Sequence, residues 1–215
     1  MNVLEVSPLK TLIFNLHYFG LRGLKFPVLV FNNFKLKKCS GVVELSDWSF
    51  GAVRLGQQIV GIIDCKTEKG IWCMEGGGEV TFEGKAKIGS ACRIICNSNG
   101  NIIFGDGVNI TGRTSVISDN KISIGAKSLI SWDCLLMDTD FHKVVDKNES
   151  VNERKNIVLD EHVWIGCRAT ILGGTQIPEN SVVAAGSVLT KAFSEKGLLL
   201  GANNKVLKTD IFWKM

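Results

Sequence analysis

The sequence predicts a mainly β protein that folds as a parallel β-helix, because large and small residues recur with a period of six. Five aliphatic residues near the C-terminus carry this period: Ile165, Ile171, Ile177, Val183 and Leu189. A small residue stands four positions after each of the first four: Ala169, Thr175, Ser181 and Ser187. A period of six fits neither an α-helix nor a simple half-buried strand. It fits a triangular coil in which each side takes six residues and turns one aliphatic side chain inward.

The same spacing continues toward the N-terminus and extends the predicted β-helix over most of the chain. Three further sets share it: Phe82, Ile88 and Ile94; Phe104, Ile110, Val116 and Ile122; and Ile124, Ile130 and Leu136. The phase slips by two residues between Ile122 and Ile124, which indicates a bulged corner or a longer coil. Before residue 80 little besides Val53 and Ile59 keeps the spacing, so residues 42–80 are expected to form irregular first coils.

The composition agrees with a single domain that turns many short corners. The chain has 215 residues, 45% of them hydrophobic, and contains 23 glycines against three prolines. Its seven cysteines are an odd number without zinc-ligand spacing, so free thiols in a reducing cytosol are expected. The sequence offers no His-Glu-x-x-His motif either, and no metal site is expected.

Residues 1–41 differ in composition and are expected to form a short N-terminal cap segment. The first forty residues hold six Lys or Arg and one acid, a net charge of +5 against +4 for the whole chain. Aromatic residues lie between these cations, but no apolar run approaches the ~20 residues of a membrane span, and no signal peptide is recognisable. Two interpretations stay open: contact with an anionic membrane surface, or a helix that closes the end of the prism. Nucleic acid is not an expected partner, because the rest of the chain carries no basic excess.

The chemistry is expected where the repeat stops, between Met137 and Val163. A long polar insertion in a tight solenoid must loop out, and such loops often carry functional sites. One of the three histidines, His142, opens this stretch. An imidazole suits a general base that takes a proton from a hydroxyl, and Asp140 or Asp138 would orient its ring. The alternative for His142 is an ordinary surface residue, which is also the interpretation of His17 and His162.

After the insertion the sequence resembles a known family. It contains the stretch Trp-Ile-Gly from Trp164, and Ala-Ala-Gly-Ser-Val-Leu-Thr-Lys from Ala184 to Lys191. These stretches resemble the C-terminal coils of the hexapeptide-repeat acetyltransferases, and the resemblance covers residues 100–208. The most similar branch contains galactoside, maltose and xenobiotic acetyltransferases and the surface-polysaccharide O-acetyltransferases. The segment from Gly201 to Val206 resembles the closing segment of the family, with Asn203 in place of the usual proline.

The resemblance implies a left-handed coil, a homotrimer with sites between subunits, and acetyl-CoA as the co-substrate without a metal in the chemistry. It places His142 as the base that deprotonates an acceptor hydroxyl. That hydroxyl would attack the thioester directly, with proximity supplied by binding both substrates in one cleft. Asp140, taken from the residues of the insertion and not from the resemblance, is the second candidate catalytic residue, with Asp138 as its alternative.

The resemblance also assigns residues to coenzyme A and to the acceptor. Trp164 matches a residue that lines the pantetheine channel, or alternatively packs on a neighbouring subunit. Ala185 matches a position whose backbone contacts the pantetheine amides, and Cys167 stands near the developing oxyanion. The phosphates would be met by Thr190, Lys191 and Lys205. Asp119 and Arg113 are the candidates for binding the sugar acceptor.

The expected architecture is thus a cap at 1–41, a left-handed β-helix at 42–200 with a loop at 138–162, and a closing segment at 201–215. The expected activity is O-acetylation of a sugar hydroxyl, on a precursor of a capsule, O-antigen or exopolysaccharide. It would take place in the cytoplasm, with peripheral contact at the inner membrane face left open. The alternatives are an acetyltransferase for a free sugar, amino sugar or antibiotic, a zinc β-helix of the γ-carbonic anhydrase kind, and a non-catalytic structural prism. The zinc enzyme needs three histidines around its metal, and only His142 and His162 lie in the prism region.

Overall fold

The fold is a triangular coil of short strands preceded by one helix. A computed structural model describes residues 5–143, 145, 147, 149, 153 and 155–214. The first four residues of the expected cap, part of the expected loop (144, 146, 148, 150–152 and 154) and residue 215 lie outside this description. Helix α1 (Pro8–Phe19) is followed directly by a 3₁₀ helix (Gly20–Lys25), and a second 3₁₀ helix (Ala202–Asn204) lies near the C-terminus.

The strands in chain order are β1 (Val28–Val30), β2 (Phe34–Cys39), β3 (Val42–Leu45), β4 (Val53–Gln57), β5 (Gly70–Met74), β6 (Glu79–Phe82), β7 (Ala86–Ser90), β8 (Arg93–Cys96), β9 (Asn101–Phe104), β10 (Val108–Gly112), β11 (Ser115–Ser118), β12 (Lys121–Ile124), β13 (Leu129–Ile130), β14 (Leu135–Met137), β15 (Ile157–Leu159), β16 (Trp164–Ile165), β17 (Thr170–Leu172), β18 (Gln176–Ile177), β19 (Val182–Val183), β20 (Val188–Leu189), β21 (Leu199–Gly201) and β22 (Lys205–Lys208).

These strands form the three faces of a prism. Face 1 runs in the order β1-β4-β7-β10-β13-β16-β19-β21-β22, face 2 in the order β2-β5-β8-β11-β14-β17-β20, and face 3 in the order β3-β6-β9-β12-β15-β18. From β1 to β20 successive strands pass from face 1 to face 2 to face 3, and neighbouring strands of these coils pair in parallel within each face. The last pair, β21 with β22, is antiparallel and ends face 1. The triangular coil predicted from the six-residue period is therefore confirmed.

The predicted inward residues fill the interior of the prism. All five aliphatic residues of the C-terminal set have no exposed surface, and the four small residues are 0–2% exposed. The slip of two residues has a different cause from the predicted bulge. Ile122 and Ile124 are both buried in β12, which pairs with β9 and β15 without a register shift. A four-residue strand has two inward positions, so the slip marks a second inward side chain.

Parallel pairing begins earlier in the chain than residue 42, the expected start of the β-helix. Strand β1 pairs with β4, and β2 pairs with β5, so the first coil starts at Val28. The alternation that signals these strands is short and interrupted by Lys35, Lys37 and Lys38, which hid it in the sequence. Ile59 lies outside the strands, in a connection between β4 and β5, whereas Val53 is buried in β4 as expected.

Helix α1 packs on this first coil. Ser7 caps it by accepting a hydrogen bond from the Lys10 N–H at 3.4 Å, with a proline in its first turn. The ring of Phe14 is buried 5.3 Å from that of Trp72, between ring centroids. Asn15 exchanges hydrogen bonds with the backbone of Val28, at 2.7 and 3.2 Å. None of the described helices is long and apolar enough to cross a membrane.

The corners of the prism use left-handed backbone. We call the turn from face 1 to face 2 the first corner, and the turn from face 2 to face 3 the second corner. In successive coils the first corner holds Ala91, Arg113, Asp133 and Arg168, with φ between 48° and 59°. This conformation costs an L-residue about 1–2 kcal/mol, and regular stacking of the coils must offset that cost.

The protruding connection lies at the second corner, between β14 and β15, and is shorter than the expected loop at 138–162. Strand β15 takes up residues 157–159 and pairs with β12 on one side and β18 on the other. Its two inward residues, Ile157 and Leu159, are buried. Three residues of alternation among charged neighbours are too short a signal to reveal a strand from sequence.

Candidate active site

The candidate residues lie at two corners of the prism and at its C-terminal end. His142, Asp140 and Asp119 belong to the second corner, whereas Arg113, Cys167 and Ala185 belong to the first. Face 2 separates these corners, and six residues of extended chain between Arg113 and Asp119 span about 20 Å. One chain therefore brings some of the candidates together and holds the two groups apart.

His142 is exposed at the start of the loop. Its Nδ1 lies 3.3 Å from the backbone carbonyl oxygen of Asp140. A carbonyl only accepts hydrogen bonds, so this contact assigns the proton to Nδ1 and leaves Nε2 as the acceptor. The contact between the two residues thus involves the main chain of Asp140. The residue between them, Phe141, has a left-handed φ of 58° that turns the chain back on itself.

Asp138, the alternative orienting residue, has a different task in the structure. It is 4% exposed, and its carboxylate accepts hydrogen bonds from the Ser118 hydroxyl at 2.7 Å and from the N–H groups of Asp119 at 2.7 Å and Asn120 at 3.2 Å. Burial raises the pKa of Asp138, and the hydrogen bonds from Asp119 and Ser118 partly oppose this rise. The base of the loop is therefore tied to the previous coil. Asp119 therefore lies at the base of the loop, where its N–H contacts Asp138. Asp138 precedes His142 by four residues in the sequence.

Arg113 is held by a segment that the sequence did not single out. Its guanidinium donates two hydrogen bonds to the Glu68 carboxylate, both at 2.5 Å, and a third to the carbonyl of Ile62 at 3.1 Å. This pairing raises the pKa of Arg113 and lowers the pKa of Glu68. Glu68 lies in the long connection between β4 and β5, which folds over the first corner. An acceptor that used Arg113 would meet this ion pair.

Trp164 lies on face 1, and 37% of its surface is exposed. Its indole N–H donates to the Ser131 hydroxyl at 3.1 Å, which fixes the ring over the neighbouring strand. The C-terminal segment adds Trp213, with ring centroids 5.9 Å apart. The Trp213 ring also stacks on His162 at 4.2 Å and donates its N–H to the His162 carbonyl at 2.8 Å. Sequence reasoning missed Trp213 because it is 51 residues away from this partner.

Cys167 and Ala185 are neighbours at the first corner. The Cys167 carbonyl accepts a hydrogen bond from the Gly186 N–H at 2.9 Å, which joins the two coils. A side chain at Gly166 would come within 2.7 Å of the Ala185 nitrogen, so glycine is required for this close approach. Ala185 itself is exposed. This corner offers backbone groups and small side chains to whatever lies against it.

The residues expected near phosphates meet at the C-terminal end of the prism. Asn204 accepts a hydrogen bond from the Thr190 N–H at 2.8 Å and donates one to its hydroxyl at 3.0 Å. This pairing brings the segment before Lys205 beside the segment that contains Lys191. Both lysines are exposed, and the Lys191 ammonium lies 5.3 Å from the centroid of the Phe193 ring. Asn203 and Asn204 both adopt left-handed backbone, which asparagine tolerates well, in the turn where the family has proline.

Within the described ranges, no group of three His, Cys, Asp or Glu side chains is placed to hold a metal ion.

The chain is similar to known O-acetyltransferases over much of its length, although no protein-family model matches it. It is 27% identical over 141 residues to a putative lipopolysaccharide biosynthesis O-acetyl transferase of Escherichia coli K12, covering 61% of this chain and 72% of that protein. It is 28% identical over 103 residues to a galactoside O-acetyltransferase of Lactococcus lactis, covering 47% of this chain and 49% of that protein. The match thus spans only about half the length of the second relative.

Among solved structures, a polysialic-acid-specific acetyltransferase superposes with a TM-score of 0.59 at 21% identity. The superposition covers 86% of this chain and 90% of that one, and it shows the fold, a left-handed parallel β-helix as expected. The sequence similarity to named O-acetyltransferases confirms the family resemblance and the acyltransferase class expected from the sequence, and the superposition confirms the fold.

Proposed function

We propose that the chain transfers an acetyl group from acetyl-CoA to a hydroxyl of a sugar in a surface-polysaccharide precursor. The observation that carries this proposal is the contact between His142 Nδ1 and the Asp140 carbonyl, which leaves Nε2 able to accept a proton. The relatives support the substrate class, because one is named for lipopolysaccharide biosynthesis and a solved neighbour for polysialic acid.

In the proposed reaction His142 acts as the general base. Its Nε2 takes the proton of the acceptor hydroxyl while that oxygen forms a bond to the thioester carbonyl carbon. Collapse of the tetrahedral adduct breaks the carbon–sulfur bond, and the proton is delivered to the leaving thiolate, so no acyl-enzyme forms. Asp140 orients the imidazole through its backbone carbonyl, and the anchored carboxylate of Asp138 keeps the base of the loop in place.

The residues present fit coenzyme A. A half-exposed indole at Trp164 offers a flat apolar surface, and the exposed backbone at Ala185 allows close approach. Exposed cations at Lys191 and Lys205, with the Thr190 hydroxyl, offer donors for phosphates. Bound there, acetyl-CoA supplies an activated acetyl group. Cys167 lies at the same corner as Ala185, where its backbone rather than its weakly donating thiol would stabilise an oxyanion.

The proposed active form is a homotrimer whose sites lie between neighbouring prisms. His142 and Ala185 belong to the corners at opposite edges of face 2, and strand geometry sets these corners about 20 Å apart. A rigid prism cannot close this gap by itself. A neighbouring copy related by rotation would set the second corner of one chain against the first corner of the next, and complete each site with residues from two chains.

The proposed location is the cytoplasm, where acetyl-CoA and sugar precursors are available and thiols stay reduced. Asp119 and Arg113 remain the proposed acceptor contacts. They lie at different corners, so in the trimer they would approach an acceptor from different subunits.

The proposal is tested with the purified 215-residue chain. Calorimetric titration with coenzyme A should show saturable binding near one per chain, and turnover should be measured with acetyl-CoA and a panel of saccharide acceptors. The variant His142→Ala should lower kcat by about 10²–10⁴-fold while coenzyme A affinity stays unchanged. The matched control His17→Ala changes an exposed histidine at the opposite end of the prism and should keep full turnover. Near-normal kcat in His142→Ala would remove the general-base role.

Subunit mixing tests the shared site. His142→Ala and Ala185→Trp each disable a different corner, so each variant alone should be inactive. The two variants are then mixed at equal amounts and allowed to exchange subunits. In a mixed trimer, an interface is intact if one chain supplies His142 and its neighbour supplies Ala185. Random assembly makes about a quarter of the sites intact. Absence of any recovered activity after proven exchange would argue that each chain builds its own site.

A second candidate is acetylation of a free sugar, favoured by the galactoside O-acetyltransferase relative. The same acceptor panel separates the two candidates, because a free-sugar enzyme should turn over monosaccharides as well as oligosaccharides.

A further inference from the structure

The outer side of helix α1 carries an apolar stripe that the prism does not use. Leu9, Leu12, Ile13 and Leu16 follow the spacing i, i+3, i+4 and i+7, which places them on one face, and all four are exposed. The opposite face, with Thr11, Phe14 and Asn15, is buried against the first coil. Packing within the chain therefore explains the buried side of the helix and leaves the apolar stripe exposed among the described residues.

The 3₁₀ helix that follows extends this surface. Its sequence is Gly-Leu-Arg-Gly-Leu-Lys, in which Leu21 and Leu24 are exposed large aliphatics next to cations. Arg22 lies over the ring of Trp48, with 3.8 Å between the guanidinium carbon and the ring centroid. Lys25 is exposed at the end of the segment. Exposed aliphatic side chains next to cations are typical of segments that lie in a membrane interface.

The chain segment that contains the stripe carries charge of one sign. Between residues 6 and 43 the chain has six Lys or Arg and no Asp or Glu. Lys35 and Lys37 are exposed on β2 in the same first coil. Symmetric contact between two copies of this surface would bring these like charges together, and lysine is depleted at protein interfaces. A partner with an anionic surface and an apolar interior is complementary to both the cations and the exposed aliphatic side chains.

We propose that the exposed face of α1 (Leu9, Leu12, Ile13 and Leu16), with Leu21 and Leu24, docks the protein on an anionic lipid bilayer. The helix lies in the interface, its aliphatic side chains enter the acyl boundary, and Lys25, Lys35 and Lys37 meet lipid phosphates. The helix packs on the first coil, so the prism stands with its N-terminal end at the membrane and its C-terminal end away from it. This inference does not depend on the proposed acetyltransferase activity.

The test is co-sedimentation of the 215-residue chain with vesicles. We expect binding to vesicles that contain phosphatidylglycerol, weak binding to phosphatidylcholine alone, and release by salt. The double variant Leu9→Gln/Ile13→Gln replaces side chains that are 67% and 51% exposed, and should weaken partitioning by about tenfold or more. The matched control Leu207→Gln alters a residue that is 48% exposed on β22, at the opposite end, and should bind like the wild type. The double variant Lys35→Gln/Lys37→Gln should lose about fivefold per cation.

Folding of each variant is checked by its thermal unfolding midpoint, because surface changes should leave the prism intact. The proposal is overturned if the wild type ignores anionic vesicles, if it binds neutral vesicles equally well, or if Leu9→Gln/Ile13→Gln keeps wild-type binding. It is also overturned if light scattering shows that Leu9→Gln/Ile13→Gln removes a subunit contact, because a second copy then covers the stripe.

Discussion

The carboxylate of Asp138 is predicted to be the main anchor of the loop that carries His142. It accepts three hydrogen bonds, from the Ser118 hydroxyl and from two backbone N–H groups of the preceding coil. The variant Asp138→Ala leaves the two N–H groups of Asp119 and Asn120 without this acceptor. Each unsatisfied donor costs about 1–3 kcal/mol, and the Ser118 hydroxyl can rotate to another partner. We therefore expect the free energy of unfolding to fall by about 3–5 kcal/mol.

Two further variants sharpen this expectation. Ser118→Ala removes one of the three hydrogen bonds and leaves both N–H groups satisfied, so it should cost about 1 kcal/mol. Asp138→Asn keeps one accepting oxygen and replaces the other with an amide NH₂ group. This NH₂ group cannot accept a hydrogen bond, so one of the two backbone N–H groups loses its acceptor. The cost of this variant should lie between those of the other two variants. For a chain of this size each kcal/mol shifts the unfolding midpoint by about 2–4 °C.

The pH dependence of these differences has a defined sign. Burial raises the pKa of Asp138 in the folded state above its ordinary value of 3.8. The folded protein then binds more protons than the unfolded chain as pH rises from 3.8, so ionisation of Asp138 lowers stability across that window. The stability advantage of the wild type over Asp138→Asn should therefore be larger at the acidic end of the window than at neutral pH.

The assay combines thermal and denaturant unfolding with turnover measurements. Asp138→Ala should also lower kcat, because His142 is four residues from the anchor, while coenzyme A affinity at the other corner stays unchanged. A loss of less than 1 kcal/mol in Asp138→Ala, or a stability difference that grows with pH, would refute the reasoning about this carboxylate.

Three other predictions concern the proposed ligand surfaces and the corners. Trp164→Ala should weaken coenzyme A binding in calorimetry by about tenfold, whereas Trp48→Ala at the far end should leave it unchanged. Lys191→Gln should weaken the same binding by about threefold to tenfold and reduce its salt dependence, whereas Lys196→Gln, whose partner is Glu179, should do neither. Arg168→Gly relieves a left-handed φ of 59° and should raise stability by about 1 kcal/mol, whereas Arg93→Gly in β8 should lower it; equal effects in thermal unfolding would contradict the corner argument.

Much of the fold could be predicted because the coil repeats one geometric requirement many times. Each side of the prism needs an inward aliphatic, and Ile165, Ile171 and Ile177 meet that requirement in succession. The place of the loop was visible for the same reason, since an interruption stands out against a strict period. The strands β1 and β15 could not be predicted, because each has only three residues and the neighbouring sequence contains lysines and acidic residues that obscure the alternation.

The contacts around the candidate site could not be predicted, because they join residues that are distant in sequence. Glu68 reaches Arg113 across 45 positions, and Trp213 reaches His162 across 51. The left-handed corners were also hidden, since Arg113 and Arg168 are not residue types that favour such a conformation. Their backbone is set by the stacking of coils, which is a property of the assembled prism rather than of any local stretch.

The filled interior explains why the chemistry is expected at the corners. The inward positions are occupied by side chains with almost no exposed surface, so changes there would disturb several coils at once. Outward and corner positions carry no such constraint, and a coil can lengthen only where the chain turns. The insertion with His142 occurs at such a turn, directly after Asp138 has tied that turn to the coil before it. His142 thus follows a turn that Asp138 anchors, and its position depends on the same stacking that produces the six-residue period.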